Sequence, residues 1–317
     1  MAQTFSGYVL DKKTKKPIEN VTVYFTGTTL GDATDENGYY EIDNKFSVKA
    51  NLLVSVMGYQ KVLIEQKNIK PVMKIYLEEE IETNEAVTIN AVKVKRDHTL
   101  RIFKEEFLGK HHDSPYLKIL NEHKIKFNIT SDSTLIARCD EPIIIENKRL
   151  GYKMKYDLIT FEAKLYLRRY PYNVGSVNFA GFCFFNDLKN LKKKHFKRRR
   201  EAYLGSKLHF FRSLVRGDFE EHKFNFTHNG ITFKNPENFI QKKQRTEETT
   251  VFELQEETIA VLYNNDKQSI LEIREKDKTF SVDSFGNISP PNKVLFGGEM
   301  SFKRVGEMLP LDFQLEN

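Results

Sequence analysis

The chain has 317 residues, 39% of them hydrophobic and 30% charged, with a formal net charge of +6. This balance excludes a disordered polymer, and the lack of any apolar run of about 18 residues excludes a membrane-spanning helix. With 25 Phe, 14 Tyr and no Trp, the aromatic content favours strands.

At the amino end, MAQTFSG carries neither a basic nor an apolar leader. Ala2-Gln3 matches the pair left at a signal-peptidase cut, so an exported chain with an added Met1 is expected. A natural cytoplasmic start is the alternative. Strands are predicted near Phe5–Leu10, Thr22–Gly27, Tyr39–Ile42, Leu52–Met57, Lys61–Glu65 and Met73–Leu77. Runs this short and evenly spaced indicate a β-sandwich.

The acid-rich stretch GTTLGDATDENGYYEI (27–42) could hold a metal or turn the chain. Placing Gly38 at the sixth position of a calcium loop puts Asp35 third and Asn37 fifth. Ala33 then stands first and Asn44 twelfth, where a bidentate Glu is required. Two ligands are missing, so a tight hairpin is expected. Gly38 supplies positive φ and Asp35 bonds its own backbone.

FSGYVLDKKTKKPIENVTVYFTGTTLGDATDENGYYEI, then LLVSVMGYQKVLI and MKIYLEE, resembles the carboxypeptidase-like regulatory domain. The shared marks are a Gly-x-Val opening strand, Pro-Ile before Val-x-Val, a Gly-Thr pair, the Thr-Asp-x-x-Gly-x-Tyr turn and a Gly-Tyr after an apolar strand. The resemblance covers residues 3 to about 78 and implies a seven-stranded, transthyretin-like sandwich. It also implies company with outer-membrane receptors and secreted or periplasmic proteins of Gram-negative bacteria. It carries no catalysis: a zinc carboxypeptidase needs His-x-x-Glu plus a distant His, and none of the eight histidines has Glu at the third position after it.

Residues 1–78 therefore read as the regulatory sandwich and 79–97 as a linker with a strand over Ala86–Val94. Residues 98–317 read as one α+β domain of unknown function. About 220 residues cannot form a 22-strand receptor barrel at about 10 residues per strand with its plug and loops. Thr99 is expected to cap a helix through IFKEEFLG that stops at Gly109, with another helical turn over Pro115–Leu120. Strands follow at IKFNI, TLIARCDE, PIIIEN, GYKMKYDLITFEAKLYL and SVNFAGFCFF. A helical centre spans Leu188–Phe219. Strands return at TVFELQ, TIAVLY, ILEIRE and TFSVD, giving a mainly antiparallel sheet with inserted helices. Cys139 and Cys183 lie in two of these runs and read as separate buried thiols, with a single disulfide as the alternative. The segments IFKEEFLG, CDEPIIIENKRLGYKMKYDL, REAYLGSKLHFFRSL and LPLDF resemble parts of uncharacterised secreted proteins that carry the same amino-terminal module. That resemblance brings no catalytic residues.

The sharpest local feature is the basic run NLKKKHFKRRREAYLGSK (190–207). Lys192, Lys193, Lys194, Arg198, Arg199 and Arg200 could dock on an anionic membrane surface or an acidic partner. The plain alternative is a solvated helix face with Leu188, Leu191 and Phe196 turned inward. Leu204, Leu208, Phe211 and Val215 recur at helical spacing as an apolar stripe. Nucleic acid is not expected, since the net charge is modest and no nucleic-acid fold signature is present.

His111, His112 and Asp113 could begin a metal site but have no second ligand cluster. Asp140, Glu141 and Glu146 are the acids that a hydrolase would use. Tyr39, Tyr40 and Tyr59 offer ring faces for sugars, though tyrosine in strands is ordinary packing. The chain shows no nucleophile elbow, phosphate loop or dinucleotide fingerprint. The expectation is a non-enzymatic protein of the periplasm or outer membrane, with no cofactor, binding an envelope protein or glycan. An envelope hydrolase and a carbohydrate-binding module are the alternatives.

Overall fold

The computed structural model describes residues 3–80, 95–166, 173–228, 231–246, 249–290 and 293–315. Two compact units divide the chain, residues 1–191 and 192–317. The break lies within the 98–317 stretch, at the head of the basic run. The strand expected over Ala86–Val94 falls outside the described residues.

The first unit opens with β1 (Gln3–Asp11), β2 (Thr22–Phe25), β3 (Gly31–Ala33), β4 (Tyr39–Asn44), β5 (Leu52–Ser55), β6 (Val62–Ile64) and β7 (Val72–Leu77). They form two sheets, β4-β1-β7 and β3-β2-β5-β6, which is the expected seven-stranded sandwich. Alternation drives it: Val9, Val23, Phe25, Tyr40, Ile42, Val54, Ile75 and Leu77 point inward and are buried, each worth roughly 1.5–3 kcal/mol. Six of the seven strands were legible. The missed one, Gly-Asp-Ala, has no β-forming side chain and is held by pairing Thr22 opposite Ala33. β1 and β7 run parallel with Gly7 opposite Met73, and a Cβ on Gly7 would lie 1.8 Å from the Met73 carbonyl oxygen. Only glycine permits that approach.

The hairpin at 35–38 is a turn built as its residues dictate. Asp35 Oδ1 accepts from the N–H of Asn37 (2.9 Å) and Tyr39 (2.8 Å), and Gly38 takes φ 72°.

Next come α1 (Arg96–Leu108), β8 (Leu117–Ile119), β9 (Lys126–Ile129), β10 (Thr134–Arg138), β11 (Ile143–Asn147), β12 (Tyr152–Tyr166) and β13 (Asn173–Asp187). The sheet order is β8-β11-β12-β10-β9, with β13 also paired to β12. Two local expectations need correction. Thr99 is not the cap: Lys95 is, while the Thr99 hydroxyl donates to the Arg96 carbonyl at 2.8 Å. Pro115–Leu120 holds a strand rather than a helical turn, because Leu117–Ile119 finds pairing partners in Ile145–Asn147. Gly109 does end α1, at φ 83°. β12 carries a register shift between Leu158 and Thr160, and the intervening Ile159 is thrown out to solvent, as a bulge requires.

The sandwich is tied to this sheet within the unit. Gly27 N–H donates to the Cys183 carbonyl (2.6 Å) and Phe185 N–H to the Thr28 carbonyl (2.9 Å). Tyr24 stacks on Phe184 at 4.9 Å, and its hydroxyl donates to Asp157 Oδ2 at 2.9 Å. Cys139 and Cys183 are both free and buried, which sets the disulfide alternative aside.

The second unit contains α2 (Lys193–Tyr203), α3 (Lys207–Arg216), β14 (Phe224–His228), β15 (Ile231–Phe233), β16 (Ile240–Arg245), β17 (Thr249–Leu254), β18 (Thr258–Tyr263), β19 (Lys267–Glu272), β20 (Thr279–Asp283), β21 (Ile288–Ser289), β22 (Leu295–Gly298) and α4 (Glu299–Phe302). Its sheets run β15-β14-β18-β19-β22 and β16-β17-β20-β21. Phe210, Phe211, Phe224, Phe226, Phe252, Phe280 and Leu271 fill the core, many of the rings meeting edge to face. The apolar stripe expected on α3 is only part of its buried surface. His209, Phe210, Phe211, Arg212, Ser213 and Leu214 are all buried, whereas Leu208 and Val215 are half-buried. α3 is covered on most of its circumference, one side by phenylalanines and the other by polar groups.

Candidate functional site

α2 reads KKHFKRRREAY. Its Lys, Arg, Glu and Ala residues favour helix without any help from packing. The chain leaves the helix at Leu204, before Gly205 at φ 68°. Lys192 N–H donates to His195 Nδ1 at 2.8 Å across the first turn. At the other end, Lys303 Nζ donates to the carbonyls of Ala202 (2.9 Å) and Leu204 (2.6 Å), so a cation completes the helix C-terminus.

Helical spacing sorts the charges. His195, Arg199 and Ala202, four and three residues apart, face inward; Lys193, Lys197 and Arg200, at the same intervals, face out. Lys192 and Lys194 are exposed as well, and Arg198 is half-buried. Arg199 is the exception among the six named from sequence. It is 5% exposed, with its guanidinium 5.6 Å from the Phe196 ring centre. Phe196, expected inside, is 38% exposed. Lys197 was passed over in the sequence reading although it lies on the outward stripe. The signal for both corrections was the i, i+4, i+7 spacing around Ala202.

Among the described residues, no carboxylate lies within ion-pair distance of Lys192, Lys193, Lys194, Lys197, Arg198 or Arg200. Glu201, the one acid on α2, does not approach them within 4 Å. His195 registers this field: burial pushes its imidazole below the ordinary value, and Lys194, Arg199, Arg198 and Lys192 push it further.

A second polar cluster lies behind α2. Gly205 N–H donates to His209 Nδ1 (3.1 Å), and His209 Nε2 meets His222 Nδ1 at 3.0 Å. His222 Nε2 lies 3.2 Å from Asp218 Oδ2, whose Oδ1 accepts from Ser213 Oγ at 2.7 Å. Only one proton arrangement satisfies the chain: His209 and His222 each carry their hydrogen on Nε2. Burial, then His222, Arg216, Lys303 and Arg212, hold His209 down to about 3. Beside it, Arg212 donates to the carbonyls of Phe285 (3.0 Å), Phe313 (2.8 Å) and Leu311 (2.7 Å). Thus REAYLGSKLHFFRSL and LPLDF meet through one guanidinium. These groups are used up internally and position α2 and α3; they offer no free nucleophile.

The other candidates are dispersed. Lys126 holds Asp140 at 2.7 Å, Asn121 donates to Glu141 at 3.1 Å, and Lys148 pairs with Glu146 at 3.0 Å. His112 Nδ1 lies 3.1 Å from the Gly109 carbonyl. No group of three His, Cys, Asp or Glu suited to a metal occurs among the described residues. Tyr40 is buried and cannot stack on a sugar.

Residues 5–89 match the family described as the CarboxypepD_reg-like domain. The amino-terminal segment is a CarboxypepD_reg-like domain. No curated protein matches the chain. Among solved structures, it is similar to a type II cohesin–X-dockerin complex mutant from Acetivibrio cellulolyticus, with 26% identity over 23% of this chain and 51% of that one (TM-score 0.20). A 9R-lipoxygenase from Cyanothece shows 13% identity, covering 65% of this chain and 46% of that one (TM-score 0.19). A candidate carbohydrate-binding protein from Bacteroides uniformis shows 10% identity, covering 93% and 98% (TM-score 0.20). The chain spans about half the length of the first two. Scores this low carry no argument about fold or function. No helix among the described residues is long and apolar enough to cross a membrane.

Proposed function

We propose that this is a non-enzymatic docking protein of the cell envelope, periplasmic or outer-membrane-associated, which uses the outward face of α2 to hold an acidic surface. One observation carries the reading: exposed Lys192, Lys193, Lys194, Lys197 and Arg200 have no carboxylate partner among the described residues. Like charges crowded on one helix cost stability, so their concentration calls for an external anion. The CarboxypepD_reg-like domain supports the envelope placement through the company its family keeps. The test is sedimentation with envelope fractions across a salt series, comparing the natural chain with a variant carrying Gln at those five positions. Retention of the natural chain at low salt, lost at high salt and lost in the variant, is expected. Equal behaviour of the two would reduce α2 to a solvated face.

A second reading, glycan binding, moves to different residues. On the outward face of the three-stranded sheet, Tyr8 lies opposite Tyr39, and Tyr76 lies opposite Leu10 two positions along. Tyr8 and Tyr76 are 40% and 42% exposed, and the Tyr8 and Tyr39 rings are 5.4 Å apart. Glycan-array binding lost in Tyr8→Ala and Tyr76→Ala would favour it.

A further inference from the structure

We infer that the acidic surface held by α2 is an anionic lipid bilayer, contacted by the lysine stripe and by Phe196 at the level of the headgroups. This rests on the docking reading above and names its partner. Three observations select lipid over a folded acidic partner.

The first is the kind of cation. Of the five exposed cations, four are lysines (Lys192, Lys193, Lys194, Lys197) and one is Arg200. Lysine is a hydrated point charge on a flexible stem, suited to a laterally mobile field of phosphates. Arginine, with its planar fork, suits fixed carboxylates. Of the three arginines of α2, Arg199 is turned into the protein and Arg198 is half-buried, so Arg200 is the one fork fully offered outward.

The second is shape. An 11-residue helix presents a straight edge about 16 Å long, with its cations spread along that length. Such an edge lies flat on a plane of charge, and no groove is needed to receive it.

The third is the aromatic flank. Phe196 is 38% exposed on a helix whose other outward residues are charged. At the C-terminal end of α2, Lys303 reaches the helix carbonyls, and its neighbour Phe302 on α4 is 61% exposed. Exposed phenylalanine beside lysine is costly in water but matches the boundary between headgroups and acyl chains.

The experiment is co-sedimentation with protein-free vesicles of phosphatidylglycerol and phosphatidylcholine, against vesicles of phosphatidylcholine alone, at rising salt. The natural chain should bind the mixed vesicles, ignore the neutral ones, and release as salt shortens the screening length below about 10 Å. Each Lys or Arg changed to Gln should lower partitioning about fivefold, and the five-position variant should lose it altogether. Phe196→Ser should lower it by up to about tenfold without changing the salt slope, because no charge is removed. Matching thermal melts of the variants and the natural chain establish that folding is intact. If the natural chain binds envelope fractions but not anionic vesicles, the partner is an acidic macromolecule: the lipid inference is overturned and the docking reading survives. If it binds neither, both fall. Undiminished vesicle binding by the five-position variant would also overturn the inference, since the lipid would then be held elsewhere.

Discussion

Two charged regions of this protein obey opposite rules. In the first unit Asp157 is 3% exposed and is enclosed by partners: the Tyr24 hydroxyl at 2.9 Å, Lys61 Nζ at 2.5 Å, and Lys155 nearby, itself bonded to Thr22 at 3.0 Å. In the second unit, among the described residues, Lys193, Lys194, Lys197, Arg198 and Arg200 of α2 have no acid against them. A buried charge must be paired because desolvation costs several kcal/mol per ion. An exposed one need not be, and leaving five unpaired on one short element is unfavourable for folding alone. The contrast separates charge that fixes internal geometry from charge that, on the docking reading proposed above, serves something outside the chain.

The largest expected effect comes from breaking the paired region. Asp157→Ala should destabilise by about 3 kcal/mol, because it strands the buried Tyr24 hydroxyl and removes the counter-ion of Lys61. The figure sits at the low end for buried pairs since Lys61 keeps some contact with water. Asp157→Asn retains an acceptor for Tyr24 and should cost roughly half as much. Urea unfolding measures both. An unchanged midpoint for Asp157→Ala would mean that the junction between sandwich and sheet does not depend on this carboxylate.

The second unit has buried titrating groups of its own, and these give a pH dependence with two opposing signs. His209, ordinarily near 6.5, is held down to about 3 in the fold. The unfolded chain therefore binds more protons between those values, and stability falls as pH drops from 6.5 towards 3, by up to about 1.4 kcal/mol per unit. Asp283 runs the other way. Burial lifts it to about 6, against N–H bonds from Asn287 and Phe285 and the charge of Arg212, which lower it. The fold then binds more protons between 3.8 and 6, so this group favours stability at low pH and loses that contribution as pH rises through 6. The two slopes oppose each other, and the natural chain should show a shallow profile over pH 4–6. His209→Phe removes one slope and should expose the other, giving lower stability at pH 7 than at pH 4 relative to the natural chain. Urea midpoints across that range decide it; a parallel shift of the whole profile would remove His209 from the account.

What was legible in the sequence follows the reach of each interaction. The hairpin at Asp35–Gly38 was readable because its bonds close within five residues, and the sandwich because alternation is local. β3 and β8 were not. Gly31–Ala33 has no strand propensity, and Leu117–Ile119 follows a proline that suits a helix start equally well; each is a strand only because a distant partner supplies the hydrogen bonds. The burial of α3 was half seen. Phe211 announced itself by spacing, but Arg212 is inside because Phe285, Leu311 and Phe313 offer carbonyls far along the chain. In the basic run, composition showed that charge was concentrated. It could not rank Arg198, Arg199 and Arg200, since identical residues in a row carry no direction until the inner stripe of His195 and Ala202 is recognised.

That row supplies the finest version of the contrast, because adjacent arginines of one helix fall on its two sides. Arg199 is packed inside against Phe196, where its aliphatic stem and guanidinium both contribute to burial. Arg199→Gln should therefore lower stability by about 1 kcal/mol and leave docking at its natural level, provided that the measurement is made well below the melting temperature. Arg200 faces out with no carboxylate partner among the described residues. Its replacement by Gln should change stability by less than about 0.5 kcal/mol, on the side of a gain because repulsion from Lys193 and Lys197 is relieved. The same change should weaken salt-sensitive docking about fivefold. Thermal melts and co-sedimentation on the two single variants give a two-by-two outcome. If both arginines affect binding equally and stability not at all, the helix face is not sorted as described, and the six cations act as an undifferentiated cloud. If each moves only its own observable, charge position on α2, rather than charge number, determines docking.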